Sequence, residues 1–308
     1  MRVKNDQNLL QPVFDALALD SYDAGDSDLT PTSWIDSPRI RQLMKEHWDE
    51  IEELISDRVF TTIGNGVHNL LEENVKGFEG VTAEERVFYD HPSGLRLSGA
   101  IDLQMLADDG STILADYKTT SVWSVILGSG DGAIKPAWVR QLNSYRYLLQ
   151  ISRDVEVSAL YIIAILRDWK RGDSVKPNYP DAPIVQIEVP LWGWEETQAY
   201  VEERIALHRA ASYSMFIKEE LVHCTSEEMW ERPETFAVLR SPSHKRASRV
   251  LDSMEDATAW AENPDNGMGS NHVIEHRPGQ RVRCRDWCQV AKWCNQYQEY
   301  LENLDDDF

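Results

Sequence analysis

Long apolar runs are missing from this sequence. The longest, Leu160 to Leu166, suits a buried strand and falls far short of the roughly 20 residues that a membrane-spanning helix needs. No membrane partner is therefore expected. Positive charge is also scarce: 31 Lys and Arg against 52 Asp and Glu leave a formal net charge of −21. That balance argues against broad attraction to nucleic-acid phosphates. Cysteine is rarer still, with four residues, all from Cys224 onward. The opening MRVKNDQNLLQP lacks the apolar stretch of a secretory signal, so a cytoplasmic location is the expectation. In that reducing compartment two structural disulfides are disfavoured. There is no internal repeat, no G-x-S-x-G elbow, no phosphate-binding P-loop and no H-E-x-x-H zinc motif.

The chain has 308 residues, enough for a substantial core in one large domain or in a domain with an appendage. Its centre is Arg96 to Thr120, RLSGAIDLQMLADDGSTILADYKTT. Apolar runs at Leu95 to Leu106 and Thr112 to Tyr117 flank Ala107-Asp108-Asp109-Gly110, and Asp-Gly between hydrophobic strands signals a hairpin. Asp102 lies within the first strand, and Asp116 and Lys118 leave the second. Strand alternation puts Asp116 and Lys118 on one face and Tyr117 on the other. Two carboxylates and an ammonium then converge at one end of a sheet.

Around this centre, residues 1–33 read as a flexible or irregular arm. Residues 36–56 read as one amphipathic helix started by Ser37-Pro38, with Trp48 packed. Thr61 to Glu73 enters a helix after Gly64 and Gly66, with Val67, Leu70 and Leu71 inward and His68 and Glu72 sharing a side. Val81 to Tyr89 is a strand, Trp123 to Lys135 a loop, Pro136 to Ser152 a helix, and Val157 to Leu166 a strand. A charged turn over Arg167 to Lys176 leads to a strand at Ile184 to Val189, and a long helix starts after Trp194. This order predicts an α/β (α+β) fold, a mixed central sheet flanked by helices over residues 34–220. Residues 221–298, of modest apolar content, read as an extension packed on that core, and 299–308 as an acidic, fraying tail.

Asp102 and Asp116 are oxygen ligands suited to Mg²⁺, and a divalent ion activates water and stabilises phosphoryl charge. His68 offers a nitrogen ligand, Glu72 an accessory carboxylate, and Lys118 a group to position water or stabilise charge. The plainer alternatives are a surface salt bridge for Asp116 and Lys118, a turn or cap for Asp102, and a core-edge histidine for His68. Against the cap stand the apolar flanks of Asp102, because an uncompensated buried carboxylate costs several kcal/mol.

His68 in GNGVHNLLEE, Asp102 in GAIDL, Asp116 and Lys118 in ILADYKTT, and Gln141 with Tyr145 in QLNSY resemble, in order, the motifs of the PD-(D/E)XK nuclease superfamily. More narrowly they resemble its RecB-like exonuclease group, which includes phage and CRISPR-associated nucleases. The resemblance covers roughly residues 60–165, with Ile101 where the family name has proline. It implies a Mg²⁺- or Mn²⁺-dependent DNA exonuclease of phage recombination or DNA processing, acting in the host cytoplasm if phage-encoded. His68, Asp102, Asp116 and the Tyr117 carbonyl would ligate the metal. Lys118 would be the catalytic lysine, and Gln141 and Tyr145 would organise the site or touch DNA. A single-strand annealing protein is a partner in keeping with that pathway, and a homo-oligomeric ring with that activity. The rival classes are a non-catalytic DNA-binding or assembly protein on a nuclease scaffold, and an acidic structural or interaction protein.

Cys284, Cys288 and Cys294 stand in CRDWCQVAKWC, and Cys224 stands far upstream. Four thiolates suit Zn²⁺ or an iron-sulfur cluster, and spacing leaves both open, as it does incidental core cysteines. The same resemblance implies a 4Fe-4S cluster that staples the terminal segment to the nuclease core. Should Cys224 not take part, His223 and His272 are the substitutes. Basic runs at Arg240, Lys245, Arg246 and Arg249, and at Arg277, Arg281, Arg283 and Arg285, are either solvated faces or phosphate contacts. Lys245, Arg246, Arg249, Arg281 and Arg283 are the DNA-binding candidates. Trp123, Trp138 and Tyr147 are candidates for base stacking, with core packing as the plainer role.

Overall fold

The computed structural model describes residues 1–19, 25–129 and 134–306. The parts of the expected arm, loop and tail at 20–24, 130–133 and 307–308 lie outside the described residues. The chain divides into two compact units, Met1–Leu221 and Val222–Phe308. Among the described residues no helix is long and apolar enough to cross a membrane.

In the first unit, α1 spans Pro38–Glu46 and α2 spans Ile55–Val75. β1 (Val81–Asp90), β2 (Arg96–Leu106) and β3 (Thr112–Thr120) follow, then α3 (Trp123–Ser129) and α4 (Pro136–Arg153). β4 (Val157–Leu166), β5 (Ile184–Val189) and α5 (Trp194–Ile217) complete it. The strands form one sheet in the order β1-β2-β3-β4-β5. Only β3 and β4 pair in parallel; their neighbours are antiparallel. A parallel pair needs a long crossover, and α4 lies within it. The expected mixed sheet flanked by helices is borne out.

Local sequence explains most boundaries. Ser37 caps α1 by accepting from the Ile40 amide, with Pro38 in the first turn, where its missing N–H costs nothing. α4 starts at Pro136 and ends where Asp154 turns left-handed. Its buried face, including Trp138, Leu142, Tyr145 and Leu149, packs with Ile101, Leu114, Leu160 and Ile162 of the sheet in one core. Each fully buried leucine there contributes about 1.5–3 kcal/mol. Gly99 on β2 makes this approach close: a Cβ would stand 2.8 Å from Leu148 Cδ1 and 2.9 Å from Tyr145 Cε1. A second core joins Leu29 and Trp34 to Leu97, Tyr147, Leu148, Val201 and Ile205.

Several expectations are corrected. The helix read over 36–56 stops at Glu46, and Glu52–Leu54 is a short strand paired in parallel with Arg2–Lys4. Buried Ile51 and Ile55 gave that segment its apolar spacing, whereas Trp48 is 46% exposed. The first 33 residues also carry regular structure, with helices at Gln11–Ala18 and Pro31–Trp34, the latter held by a Thr30 capping box and a fully buried Trp34. α2 begins before Gly64 and Gly66 and runs through both, and Leu70 points to solvent. Glycine-containing residues 123–129 are helical rather than loop.

The second unit has its own sheet, in which β6 (Thr235–Leu239) is flanked by β7 (Arg249–Leu251) and β8 (Val273–Arg277), all antiparallel. α6 (Met254–Glu262) packs Ala257 and Ala261 against Phe236 and Val238. The modest apolar content thus builds a small core there, and Met229 and Val290 are buried outside it. α7 (Asn295–Asp306) continues through the segment expected to fray.

Candidate active site

β2 and β3 pair only from Leu103↔Ala115 to Leu106↔Thr112, next to the turn. One step further, the same register sets Asp102 opposite Asp116, and there the ladder stops. On the other flank of β2, the β1 pairs Ala83↔Leu103 and Glu85↔Ile101 keep one alignment, which sets Glu84 opposite Asp102 although those two do not themselves pair. Three carboxylates therefore occupy one row across three strands. Like charges placed opposite each other destabilise a sheet, so this row requires compensating positive charge or protonation.

The compensations are specific. Asp102 is 7% exposed, and its Oδ2 accepts from the Tyr117 amide at 2.7 Å, a donor that the parting strands leave without a ladder partner. Burial first, and then repulsion from Asp116, push the Asp102 carboxyl up to about 8. His68 reaches in from α2: its Nδ1 lies 3.3 Å from Glu84 Oε1 and 3.5 Å from Asp102 Oδ2, and its Nε2 lies 3.0 Å from the Tyr117 carbonyl oxygen. The hydrogen bond to Glu84 is the leading cause that raises the imidazolium pKa.

Asp116 is 2% exposed and lies deeper. Lys118, two residues along the same strand face, brings Nζ to 2.6 Å from Asp116 Oδ2. From α4, Gln141 Nε2 donates to Asp116 Oδ1 at 2.9 Å and to Tyr145 Oη at 3.2 Å. The i to i+4 spacing of Gln141 and Tyr145 puts them on one helix face. All seven predicted core residues, His68, Asp102, Asp116, Tyr117, Lys118, Gln141 and Tyr145, are thus linked by contacts through this row. A cleft of about 560 Å³ opens above it, lined by His68, Glu72, Glu84, Arg86, Asp102 and Tyr145 among others. Glu72 reaches the cleft but pairs with Lys76 at 3.0 Å.

Glu84 went unrecognised in the sequence. Its signal is the adjacent pair Glu84-Glu85, two charges in succession where strand alternation allows one per face. Among the described residues, His68, Glu84 and Asp102 form the one group of three His, Cys, Asp or Glu side chains whose ligand atoms all lie within 4.8 Å of one another. Crowded carboxylates with an imidazole and a carbonyl oxygen form a donor set for a hard divalent cation, and such an ion would relieve the repulsion within the row.

In the second unit Cys224 and Cys294 are buried and Cys284 and Cys288 are half-buried. Burial, followed by the influence of Cys288, Cys224 and Cys294, pushes the Cys284 thiol up to about 12, so the distant Cys224 joins the electrostatic neighbourhood of the trio. Gln296 brings it there: its Oε1 accepts from the Cys224 amide at 2.8 Å and its Nε2 donates to the Cys224 carbonyl at 2.9 Å. His223 is exposed, and His272 contacts the Gly269 carbonyl at 2.9 Å.

The other candidates separate. Lys245, Arg246 and Arg249 are exposed. Arg281 is engaged within its unit, donating to the Gln296 carbonyl at 2.9 Å and stacking 4.4 Å from the Tyr300 ring centre, and Arg283 lies 5.7 Å from the Trp230 ring centre. Trp138 and Tyr147 are buried in the two cores, which removes them as stacking surfaces, whereas Trp123 is exposed.

A mixed sheet whose central hairpin opens onto acids and a lysine, flanked by helices that supply histidine and glutamine, has the architecture of a nuclease core. The model of the PD-(D/E)XK nuclease superfamily matches residues 17–295, and the chain belongs to that superfamily. Similar solved structures include SSO0001, at 18% identity and a TM-score of 0.41, with 61% of this chain and 79% of that one covered. The alkaline exonuclease LHK-Exo from Laribacter hongkongensis aligns at 13% identity and a TM-score of 0.38, covering 62% of this chain and 91% of that one. LHK-Exo in complex with dAMP aligns at 14% identity and 0.32, covering 59% and 86%. No curated protein matches the chain.

Proposed function

We propose that the chain is a divalent-metal-dependent DNA nuclease that degrades strands from an end. The observation that carries this reading is the row of Glu84, Asp102 and Asp116 with His68 and Lys118 around it, since buried like charges at such spacing call for a cation. His68, Asp102, Asp116 and the Tyr117 carbonyl oxygen would hold Mg²⁺ or Mn²⁺. The bound ion supplies Lewis acidity toward the phosphoryl oxygen and an acidified water. Lys118 orients that water and stabilises negative charge as it develops on the phosphorus oxygens. Gln141 fixes the Asp116 carboxylate, and the Tyr145 hydroxyl fixes Gln141. The cleft of about 560 Å³ beside His68, Glu84 and Asp102 is offered as the place of a strand end. The exposed Lys245, Arg246 and Arg249 are offered as phosphate contacts, which are salt-sensitive by nature.

The four cysteines are read as ligands of a structural 4Fe-4S cluster. Support comes from the shared surroundings of the thiols and from the Gln296 clamp on Cys224. Hydrolysis needs no redox step, so the cluster would stabilise its own unit. Iron and sulfide analysis of anaerobically purified protein should find both; stoichiometric zinc without iron would reject the cluster.

Linear duplex, single-stranded and circular DNA, labelled at the 5′ or 3′ end, test the activity in Mg²⁺ or Mn²⁺. Linear DNA should shorten from an end, circles should persist, and Asp116→Ala and Lys118→Ala should each abolish cleavage. Cleavage preserved in both variants would reject the site. DNA bound but never cut would favour the non-catalytic scaffold.

A further inference from the structure

Glu84 has a left-handed backbone, with φ of 48°, in the middle of a strand whose register is unbroken on both sides. A non-glycine residue rarely adopts this conformation, and holding it there strains the backbone. Neither a turn nor a register slip explains the distortion, because Ala83↔Leu103 and Glu85↔Ile101 keep the same alignment. What the distortion accompanies is a contact: the Glu84 carboxylate faces His68 Nδ1 at 3.3 Å. The other ring nitrogen, Nε2, is then directed to the Tyr117 carbonyl oxygen at 3.0 Å.

The geometry points to Glu84 as the positioning residue of the cation site. It accepts the Nδ1–H of His68 and so presents the Nε2 lone pair, beside the Tyr117 carbonyl, to a divalent cation. Imidazole ligands of metals commonly donate their second N–H to a carboxylate, which fixes ring orientation and tautomer. Here the backbone strain at Glu84 is stored in the fold to keep that acceptor in place. The alternative is an incidental ion pair between His68 and the nearest acid, which would leave the left-handed conformation without a cause.

This inference rests on the cation site proposed above, and its test separates the two. Binding of Mn²⁺ to the full chain, followed by electron paramagnetic resonance of the free ion, is compared with thermal melting in chelator for the parent and for Glu84→Gly, Glu84→Asn and Glu84→Gln. Glycine and asparagine accept the left-handed backbone, so both should fold at least as stably as the parent. Their Mn²⁺ affinity should nevertheless fall by about 10- to 100-fold, the usual cost of losing such a partner. Glu84→Gln keeps an acceptor oxygen and should retain more affinity than either. Nitrogen-15 spectra of the Mg²⁺-loaded parent should show the proton of His68 on Nδ1, with that signature weakened in Glu84→Gly. Parent-like Mn²⁺ affinity in Glu84→Gly, or an unchanged His68 signature, would overturn the role of Glu84 and leave the site standing. A parent chain that binds no Mn²⁺ would remove the site itself.

Discussion

Gln296 returns both backbone hydrogen bonds of Cys224, one through each end of its side-chain amide, across 72 residues of sequence. Gln296→Ala strands a buried N–H and a buried C=O, each costing about 1–3 kcal/mol. Chemical denaturation of the second unit's signal should show a loss of roughly 2–6 kcal/mol. On the cysteine cluster proposed above, iron content per chain should fall with it, since Cys224 is no longer held near Cys284.

The Asp116 carboxylate should lose its fixed orientation in Gln141→Ala, which removes the donor to Oδ1. An outer partner of this kind is worth about 10- to 100-fold in activity or metal affinity. The expected drop is in kcat for DNA cleavage, with binding of DNA in chelator unchanged. Lys118→Ala should be far more severe, because the proposed mechanism sets that ammonium against the reacting groups themselves.

The pH dependence of cation binding follows from Asp102. Its pKa is raised to about 8 by burial and by Asp116, against about 3.9 in an unfolded chain. The metal-free fold therefore keeps a proton that the unfolded chain has released, and this contribution to stability, full below about pH 4, is lost as pH rises toward 8. A divalent cation displaces that proton. The rise in melting temperature on adding Mg²⁺ should be larger near pH 8 than near pH 6, and Asp102→Asn should abolish the difference.

His208 should give the opposite slope. It is buried in α5 with Nε2 3.2 Å from the carbonyl oxygens of Trp34 and Asp36, and burial pushes its pKa down to about 4. The unfolded chain takes up a proton below about pH 6.5 while the folded chain stays neutral. Stability is therefore full above that pH and declines by roughly 3 kcal/mol as pH falls to about 4. Denaturant titrations of His208→Gln should flatten over that window.

Gly99→Ala should push α4 away from β2, since the new methyl meets Leu148 and Tyr145 inside contact distance. Overpacking of this kind costs about 1–3 kcal/mol. Because Tyr145 also bonds Gln141, cleavage should fall beyond what melting alone accounts for.

Much of the site was legible in the sequence because each residue sits on an element with a strong pattern. The Asp-Gly turn fixed the hairpin around Asp102 and Asp116, whereas Gln141 and Tyr145 entered the site through the resemblance to the nuclease superfamily, their spacing alone giving only a packed tyrosine and a solvent-facing amide. The features missed depend on contacts distant in sequence. Ile51 and Ile55 satisfy a helical spacing although the chain between them pairs with Arg2–Lys4. The parting of β2 from β3 follows from two acids meeting across the ladder, which becomes visible only once the register is known. Glu84 carried no motif of its own, and its place beside His68 comes from the fold of α2 over β1.

Just past Asp102, residues 103–105 of β2 pair with β1 on one edge and with β3 on the other. A strand enclosed in this way exchanges its amide hydrogens last, because both edges must open first. Deuterium uptake should accordingly reach residues 103–105 only near global unfolding, and Asp102 is anchored at the end of that slow-exchanging block.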